Sequence, residues 1–519
     1  MRTRKPKTNP YKRKETNTMK NMRKIASVLL ALVMVFALAA PVFAAETYSI
    51  TINNTNSGHT YEAYQIFKGD LSDGTLSNVE WGESVTSHTG DATAIVEKLD
   101  EQYTGEDKMS VADLLAMITL GEEVAATSTH IDGAKYVISG LDAGYYLVKD
   151  AYGSLNGTND AYTQYIVKVV KNTEASPKGN VPQVEKKVKD INDSKDADFS
   201  AWQDSADHDI GDSVPFQLTA TLANNVEAYR TYKIVFHDTL SAGLTYDVGS
   251  VEVTFNGEYV TEYFDISCEN GQLTISCDNV KEFGASNNSQ IVVEYTATLN
   301  ENAVHGSTGN PNVVYLEYSN NPNWDADGDG KPDEPGTPGT PGDETPEEPT
   351  GKTPEDKVIV FTFKVVVDKV DENKNPLVGA GFTLFKMDKE SGEYEQVGDE
   401  VTGTQMTQFV WKGLDDGDYK LVESTTPAGY NTIDDIYFTI TAEHEVLADN
   451  PTLTTLNGGD MFTGEVSTGT LTGEVINQSG VELPETGGIG TTLFYTFGAI
   501  MVLGAAVLLI TKKRMSIAE

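Results

Sequence analysis

The chain has 519 residues, 39% of them hydrophobic and 9% aromatic, and a formal charge of −40. One hydrophobic core rarely grows past about 250–300 residues, so this length predicts several domains. Such acidity excludes nucleic acid as a partner and disfavours anionic lipid surfaces, since both are bound through Lys and Arg.

Ten of the 38 basic residues precede Ile25, so the rest of the chain is more acidic still. Lys20, Arg23 and Lys24 lead into an apolar run, Ile25–Ala40, and Val42 and Ala44 supply small residues at cleavage spacing. That pattern reads as a secretory signal over residues 1–44, cut after Ala44 or Ala45.

From Glu46 to Ser479 short alternating runs are separated by Gly, Asn, Asp and Pro, for example Tyr48–Asn53, Ser213–Leu222 and Gln290–Leu299. This predicts an all-β chain of tandem sandwiches. The first module, 45–178, carries two helical exceptions near Asp91–Gln102 and Ser110–Leu120. In the second, Ser110 is an N-cap and Val111, Leu114, Leu115 and Ile118 form one stripe. The sequence GLDAGYYLVKD from Gly140 is repeated as GLDDGDYKLVE from Gly413. Each reads as a glycine turn entering a strand whose alternate residues share a face, so the first and last modules are related sandwiches.

The middle module is expected over 179–325. Its run DISCENGQLTISC places Asn270-Gly271 between two strands, a type I′ hairpin signal. In that register Cys268 faces Leu273 and Cys277 faces Phe264, separating the sulfurs by roughly 13 Å. A disulfide needs Cα atoms within about 7 Å, so two free thiols are expected in spite of export. Val184, Lys186 and Val188 alternate on one face, as do Ile234, Phe236 and Asp238, and Leu316, Tyr318 and Asn320. Asn312 has the same parity as Asn320; Asn320 is preferred as the inward amide, and Lys187 faces solvent. Residues 326–356 read as a semi-extended Pro/Gly/Asp-rich linker. At its start Asp325, Asp327, Asp329 and Asp333 copy part of a calcium loop, but Gly336 stands where a bidentate Glu belongs. A solvated acidic segment is the favoured reading there and weak calcium binding the other.

The third module, 357–480, opens with alternation that puts Val365, Val367 and Lys369 on one face. Tyr419, Leu421 and Glu423 share a face on a second strand, and Val475 and Asn477 on the last. A buried lysine and a buried glutamate both lose hydration that favours their charged forms. Beside an Asn carboxamide, such an amine can attack the side-chain carbonyl while the acid shuttles protons. Ammonia then leaves and a Lys–Asn isopeptide bond remains.

Residues 481–519 hold Leu483-Pro484-Glu485-Thr486-Gly487, the apolar run Thr491–Ile510, and Lys512, Lys513 and Arg514. Twenty residues at 1.5 Å rise span a bilayer core of about 30 Å, and the basic end stays cytoplasmic. This order matches the LPXTG cell-wall sorting signal. The match implies that a sortase cleaves after Thr486, leaving a transient membrane helix behind. Lys369–Phe385 with YKLVESTTPAGY resembles the collagen-adhesin B-repeat fold, a family that makes a Lys–Asn bond with matching Lys, Glu and Asn. The middle module resembles the second domain of Gram-positive major pilins. That resemblance implies the same bond through Lys186, Asp238 and Asn320. The first module departs from the pattern: its opening strand has no lysine and Asp150 replaces the glutamate. No cross-link is expected there, with Lys68 the one conceivable substitute.

Lys178, in SPKGNVPQVEKKV at the first module junction, resembles the linking lysine of sortase-assembled pilins; Ser176 stands where that family has a tyrosine, which leaves Lys171 open. The resemblance thus implies a pilus shaft subunit with tandem immunoglobulin-like sandwiches of collagen-adhesin A/B type. Its partners would be pilus-class and housekeeping sortases, identical subunits, tip and base pilins, peptidoglycan and host matrix proteins. The competing reading is a monomeric wall-anchored adhesin. Seven scattered histidines give no metal-ligand spacing and no base beside a nucleophile, so neither an enzyme nor a cofactor is expected.

Overall fold

The computed structural model describes residues 46–480 and 489–515, except 100–102, 106, 122–123, 132–134, 156–157, 178–180, 197 and 325–349. Tyr48–Asn53, Ser213–Thr221 and Gln290–Leu299 are strands as predicted, and each module pairs two main sheets through their apolar faces.

In the first module one sheet runs in the order Thr173–Ala175, Tyr48–Asn53, Lys135–Leu141, Thr129–Ile131. The other runs Gln164–Val169, Gly144–Asp150, Tyr61–Ser72, Thr75–Trp81. Ile50, Ile52, Tyr61, Tyr136, Tyr146 and Val148 fill the space between them. The two helices are Ala92–Leu99 and Val111–Ala116. Ser110 caps the second in a reciprocal capping box with Asp113. Leu114, Leu115 and Ile95 cover a second apolar cluster around Phe67. The expected helix to Leu120 stops early, because Ile118–Leu120 is drawn into a strand against Val85–His88.

The middle module packs a sheet led by Gln183–Val188 and Ser213–Thr221 on one led by Asn310–Ser319 and Ile234–Leu240. Two sequence expectations change here. Thr350–Lys352 pairs back onto Asn310–Ser319, with Ser319 opposite Thr350. Asp356–Phe361 then pairs with the same strand and in parallel with Ser205–Asp207. The Pro/Gly/Asp-rich segment therefore leaves and rejoins one strand of the middle module, and does not separate two modules. The third module begins after Thr362, where 357 was expected; alternation alone cannot tell which sheet takes a strand. Thr362 is buried and its hydroxyl donates to Leu414 O at 3.2 Å.

In the third module Phe363–Asp371 lies between Gln408–Leu414 and the last strand, Thr470–Asn477, which runs parallel to it. The facing sheet is Tyr394–Thr402, Gly381–Met387, Gly417–Thr425, Ile436–His444, Leu453–Asn457. The repeat is structural as well. Tyr48 pairs Leu141 and Phe363 pairs Leu414, each followed by the same one-residue register shift at Gly140 or Gly413. The described C-terminal helix, Ile489–Met515, contains a 22-residue span, Leu493–Arg514, whose most apolar 18-residue window has a mean hydropathy of 2.4. That suffices in length to cross a bilayer.

Candidate functional site

Strand alternation places Lys369 in the third-module core beside Val365 and Val367, with no exposed surface. Its Nζ donates to Val475 O at 2.9 Å and to Val370 O at 3.3 Å. Burial pushes the amine down to about 8 against the opposing pull of Glu423. The parallel register pairs Lys369 with Val475, so Asn477 follows two residues on along the same face. Asn477 Nδ2 donates to Glu423 Oε2 at 3.0 Å and to Asn431 O at 2.9 Å. Glu423 Oε2 also accepts from Ile433 N at 3.2 Å. Asn477 Oδ1 and Glu423 Oε1 are buried and have no hydrogen-bond partner among the described residues. An amine, a carboxylate and a carboxamide thus converge in one apolar core, as the alternation predicted.

The middle module has a second such set. Lys186 and Asp238 are fully buried, with Nζ at 2.8 and 2.7 Å from the two carboxylate oxygens. Burial lowers the Lys186 pKa, and Asp238 opposes the shift. The amide that joins them is Asn312, correcting the preference for Asn320. Asp238 pairs Val314 and Leu240 pairs Asn312, whereas Tyr318 lies opposite Ile234, toward the other end of the strand. Asn320 lies eight residues, about 26 Å, along the chain from Asn312. Parity alone could not separate them; the antiparallel pairing of HDTL with NPNV decides.

In the first module the shared register puts Asn54 where Lys369 stands and Asp150 where Glu423 stands. Asn54 Nδ2 donates to Tyr61 OH at 2.7 Å. Asp150 meets His59 Nδ1 at 2.8 Å and accepts from Thr163 N at 2.8 Å. Lys68 lies on the surface, 3.7 Å from Glu83.

A polar junction between the middle and third modules was missed in the sequence. Lys386 Nζ contacts Asp209 and Asp415 at 2.5 Å and Asp193 at 3.0 Å. The Gly413 turn docks beside it: Asp415 N donates to Asp209 Oδ1 at 3.0 Å and Asp416 N to Asp207 Oδ2 at 2.8 Å. His444 Nε2 faces Asp207 at 3.1 Å and Asp190 at 3.6 Å. Alternation in GFTLFKM, with Phe382, Leu384 and Lys386 on one face, was the available signal. Four carboxylates there (Asp193, Asp209, Asp212, Asp415) lie close enough to share a cation, and the Lys386 ammonium sits among them as a tethered one.

Cys268 pairs Leu273 as expected, and both cysteines are free. Lys178, Leu483–Gly487 and the calcium-loop candidates Asp325, Asp327, Asp329 and Asp333 lie outside the described residues.

Comparison with known proteins agrees with this arrangement. Residues 363–452 match the prealbumin-like fold domain named SpaA, and 476–516 match the LPXTG cell wall anchor motif. The trypsin-resistant surface T6 protein of Streptococcus pyogenes serotype M6 is 25% identical over 400 residues, 65% of this chain and 70% of that one. The solved T6 backbone pilin of serotype M6 Streptococcus pyogenes superposes with a TM-score of 0.52 at 18% identity. The match covers 84% of this chain and 99% of that one. The chain is therefore a cell-wall-anchored Gram-positive surface protein of tandem β-sandwiches. More particularly, it is similar to the T6 protein in sequence and to the T6 backbone pilin in fold. Its matched C-terminal motif is the LPXTG cell wall anchor.

Proposed function

We propose that this chain is the shaft subunit of a covalent pilus, and that its middle and third modules close themselves with Lys–Asn bonds. The observation that carries the reading is the pair of buried Lys–carboxylate–Asn sets placed ahead of a cell-wall anchor.

In the third module, desolvation leaves part of Lys369 as a free amine, which attacks Cγ of Asn477. Glu423 takes a proton from the attacking nitrogen and returns one to Nδ2, with which it already shares a hydrogen bond. The Nζ–Cγ bond forms, Cγ–Nδ2 breaks, and ammonia leaves. The apolar walls keep water from competing for the carbonyl.

Between subunits, a sortase forms an acyl-enzyme at Thr486 of one chain, and the Lys178 amine of the next resolves it. Head-to-tail joining of this kind gives an open fibre. Transfer to peptidoglycan ends growth. The test is a wall extract boiled in detergent: a high-mass ladder is expected from the native chain and none from Lys178→Ala. A single band from both would mean a monomeric anchored protein.

A further inference from the structure

The two buried sets differ in one respect. In the third module the carboxylate touches the leaving nitrogen directly, Glu423 Oε2 to Asn477 Nδ2 at 3.0 Å. The middle module has an aspartate, one methylene shorter, and the hydroxyl of Tyr295 stands between carboxylate and amide. Tyr295 lies on Gln290–Leu299, is 2% exposed, and stacks on Phe216 at 5.4 Å between centroids. Its hydroxyl meets all three members of the set: Asp238 Oδ2 at 2.5 Å, Asn312 Nδ2 at 2.7 Å and Lys186 Nζ at 3.0 Å.

A phenol has one proton to give. The carboxylate, an acceptor only when ionised, takes it over the shortest of the three contacts, so the oxygen accepts from the ammonium and from Asn312. This fixes the amide orientation: Nδ2 faces the phenol, and Oδ1 is buried with no hydrogen-bond partner among the described residues. Nδ2 is the atom that must gain a proton to leave.

Resting on the cross-link reading above, we propose that Tyr295 is a catalytic residue of the middle module, its hydroxyl carrying the proton from Asp238 to the departing nitrogen of Asn312. Lys186 first passes a proton to Asp238 and attacks Cγ as the free amine. Asp238 gives that proton to the Tyr295 oxygen as the phenol gives its own to Nδ2. Asp238 then takes the surplus proton from the new Nζ–Cγ nitrogen. Cγ–Nδ2 breaks, ammonia leaves, and the phenol is unchanged. No proton is made or lost: the one that left the ammonium ends on Asp238.

The test follows ammonia loss by mass spectrometry of the full-length chain after a pulse of cell-free synthesis, reading the Lys186–Asn312 and Lys369–Asn477 cross-linked peptides separately. Tyr295→Phe is expected to slow the first bond by about 100-fold or more, the usual scale of proton-transfer catalysis, and to leave the second unchanged. Should the Phe variant fold poorly, fluorotyrosine in place of tyrosine changes the acidity of the phenol and hardly its shape. It should alter the rate of the first bond and not the second. An unchanged first rate in both, with the bond still forming, overturns the role of Tyr295. Absence of that bond from the native chain would instead sink the cross-link reading itself.

Discussion

His444 offers a test of what fastens the third module to the middle one. Ser205 Oγ lies 2.7 Å from Nδ1 and donates its own proton to Glu445 O at 2.9 Å, so Nδ1 must carry a hydrogen. Nε2 faces two carboxylates, which makes the ring an imidazolium. Burial pulls its pKa down, but hydrogen bonds and charge from Asp190 and Asp207 outweigh that and hold it at about 10. Against an ordinary value near 6.5, the shift corresponds to roughly 4–5 kcal/mol, little discounted for a side chain 6% exposed. A raised pKa stabilises fully below the unfolded value, so this contribution is whole below about pH 6.5 and fades as pH climbs to 10. Asp416, pushed up to about 7 by burial and then by Asp207, acts in the same direction at lower pH, withdrawing stability as pH rises from about 4 to 7. Calorimetry of the native chain and His444→Gln should therefore show the third-module transition apart by about 15–20 °C at pH 6 and nearly coincident at pH 10. A gap that stays constant across that range would refute an ionic role for the histidine.

Intact mass should show two ammonia losses from the native chain. Glu423→Ala abolishes one and Asp238→Ala the other. In the middle module Asn312→Ala should remove the loss and Asn320→Ala should not, which separates the two candidates directly. Losing the third-module bond opens a loop from 369 to 477, worth about 4–5 kcal/mol in chain entropy for a loop near 100 residues, so Asn477→Ala should melt that module far earlier in calorimetry. Gly413 has φ +71° and an added Cβ would lie 2.2 Å from Ile210 Cδ1. Gly413→Ala should cost roughly 1–3 kcal/mol and expose the Thr362 junction to protease, with the third module's own bond still formed.

What could be read from the sequence was whatever period two determines. Alternation named Lys369, Glu423, Asn477, Lys186 and Asp238 as inward residues, because a side chain's face depends only on its own strand. It could not choose Asn312 over Asn320, since both satisfy the same parity and only the pairing with Ile234–Leu240 distinguishes them. Nor could it assign Asp356–Phe361 to the middle sheet. That run continues almost without break into Phe363–Asp371, and which sheet each half joins is a property of tertiary pairing. Lys386 was legible by the same rule that found Lys369. Tyr295 was not, since an inward tyrosine in a sandwich is ordinary until its hydroxyl has partners.

The placement of the buried lysines follows from where tension would run. On the proposed linkage of subunits from Thr486 to Lys178, a pull on the fibre enters each chain at residue 178 and leaves at 486, so residues before 178 lie outside the load path. The first module has Asn54 where the third has Lys369, and it needs no covalent brace. In the third module the terminal strands are parallel neighbours, so opposite pulls shear Phe363–Asp371 against Thr470–Asn477 and load the whole ladder together. A bond from Lys369 to Asn477 then carries the load past everything between them. In the middle module a bond from Lys186 to Asn312 leaves the chain from 313 to 368 in the path. There Asp356–Phe361 pairs with Asn310–Val314 and Ser205–Asp207, packs Val358 and Val360 into the middle-module core, and accepts from Lys186 N at Asp356 Oδ2, with no covalent bond to either neighbour. The docked Gly413 turn, Lys386 and His444 fasten the third module to the Ser205–Asp212 stretch that this strand leans on. On that reading these contacts brace the longest stretch of the load path that neither proposed bond spans, so their charge state should bear on the strength of the fibre.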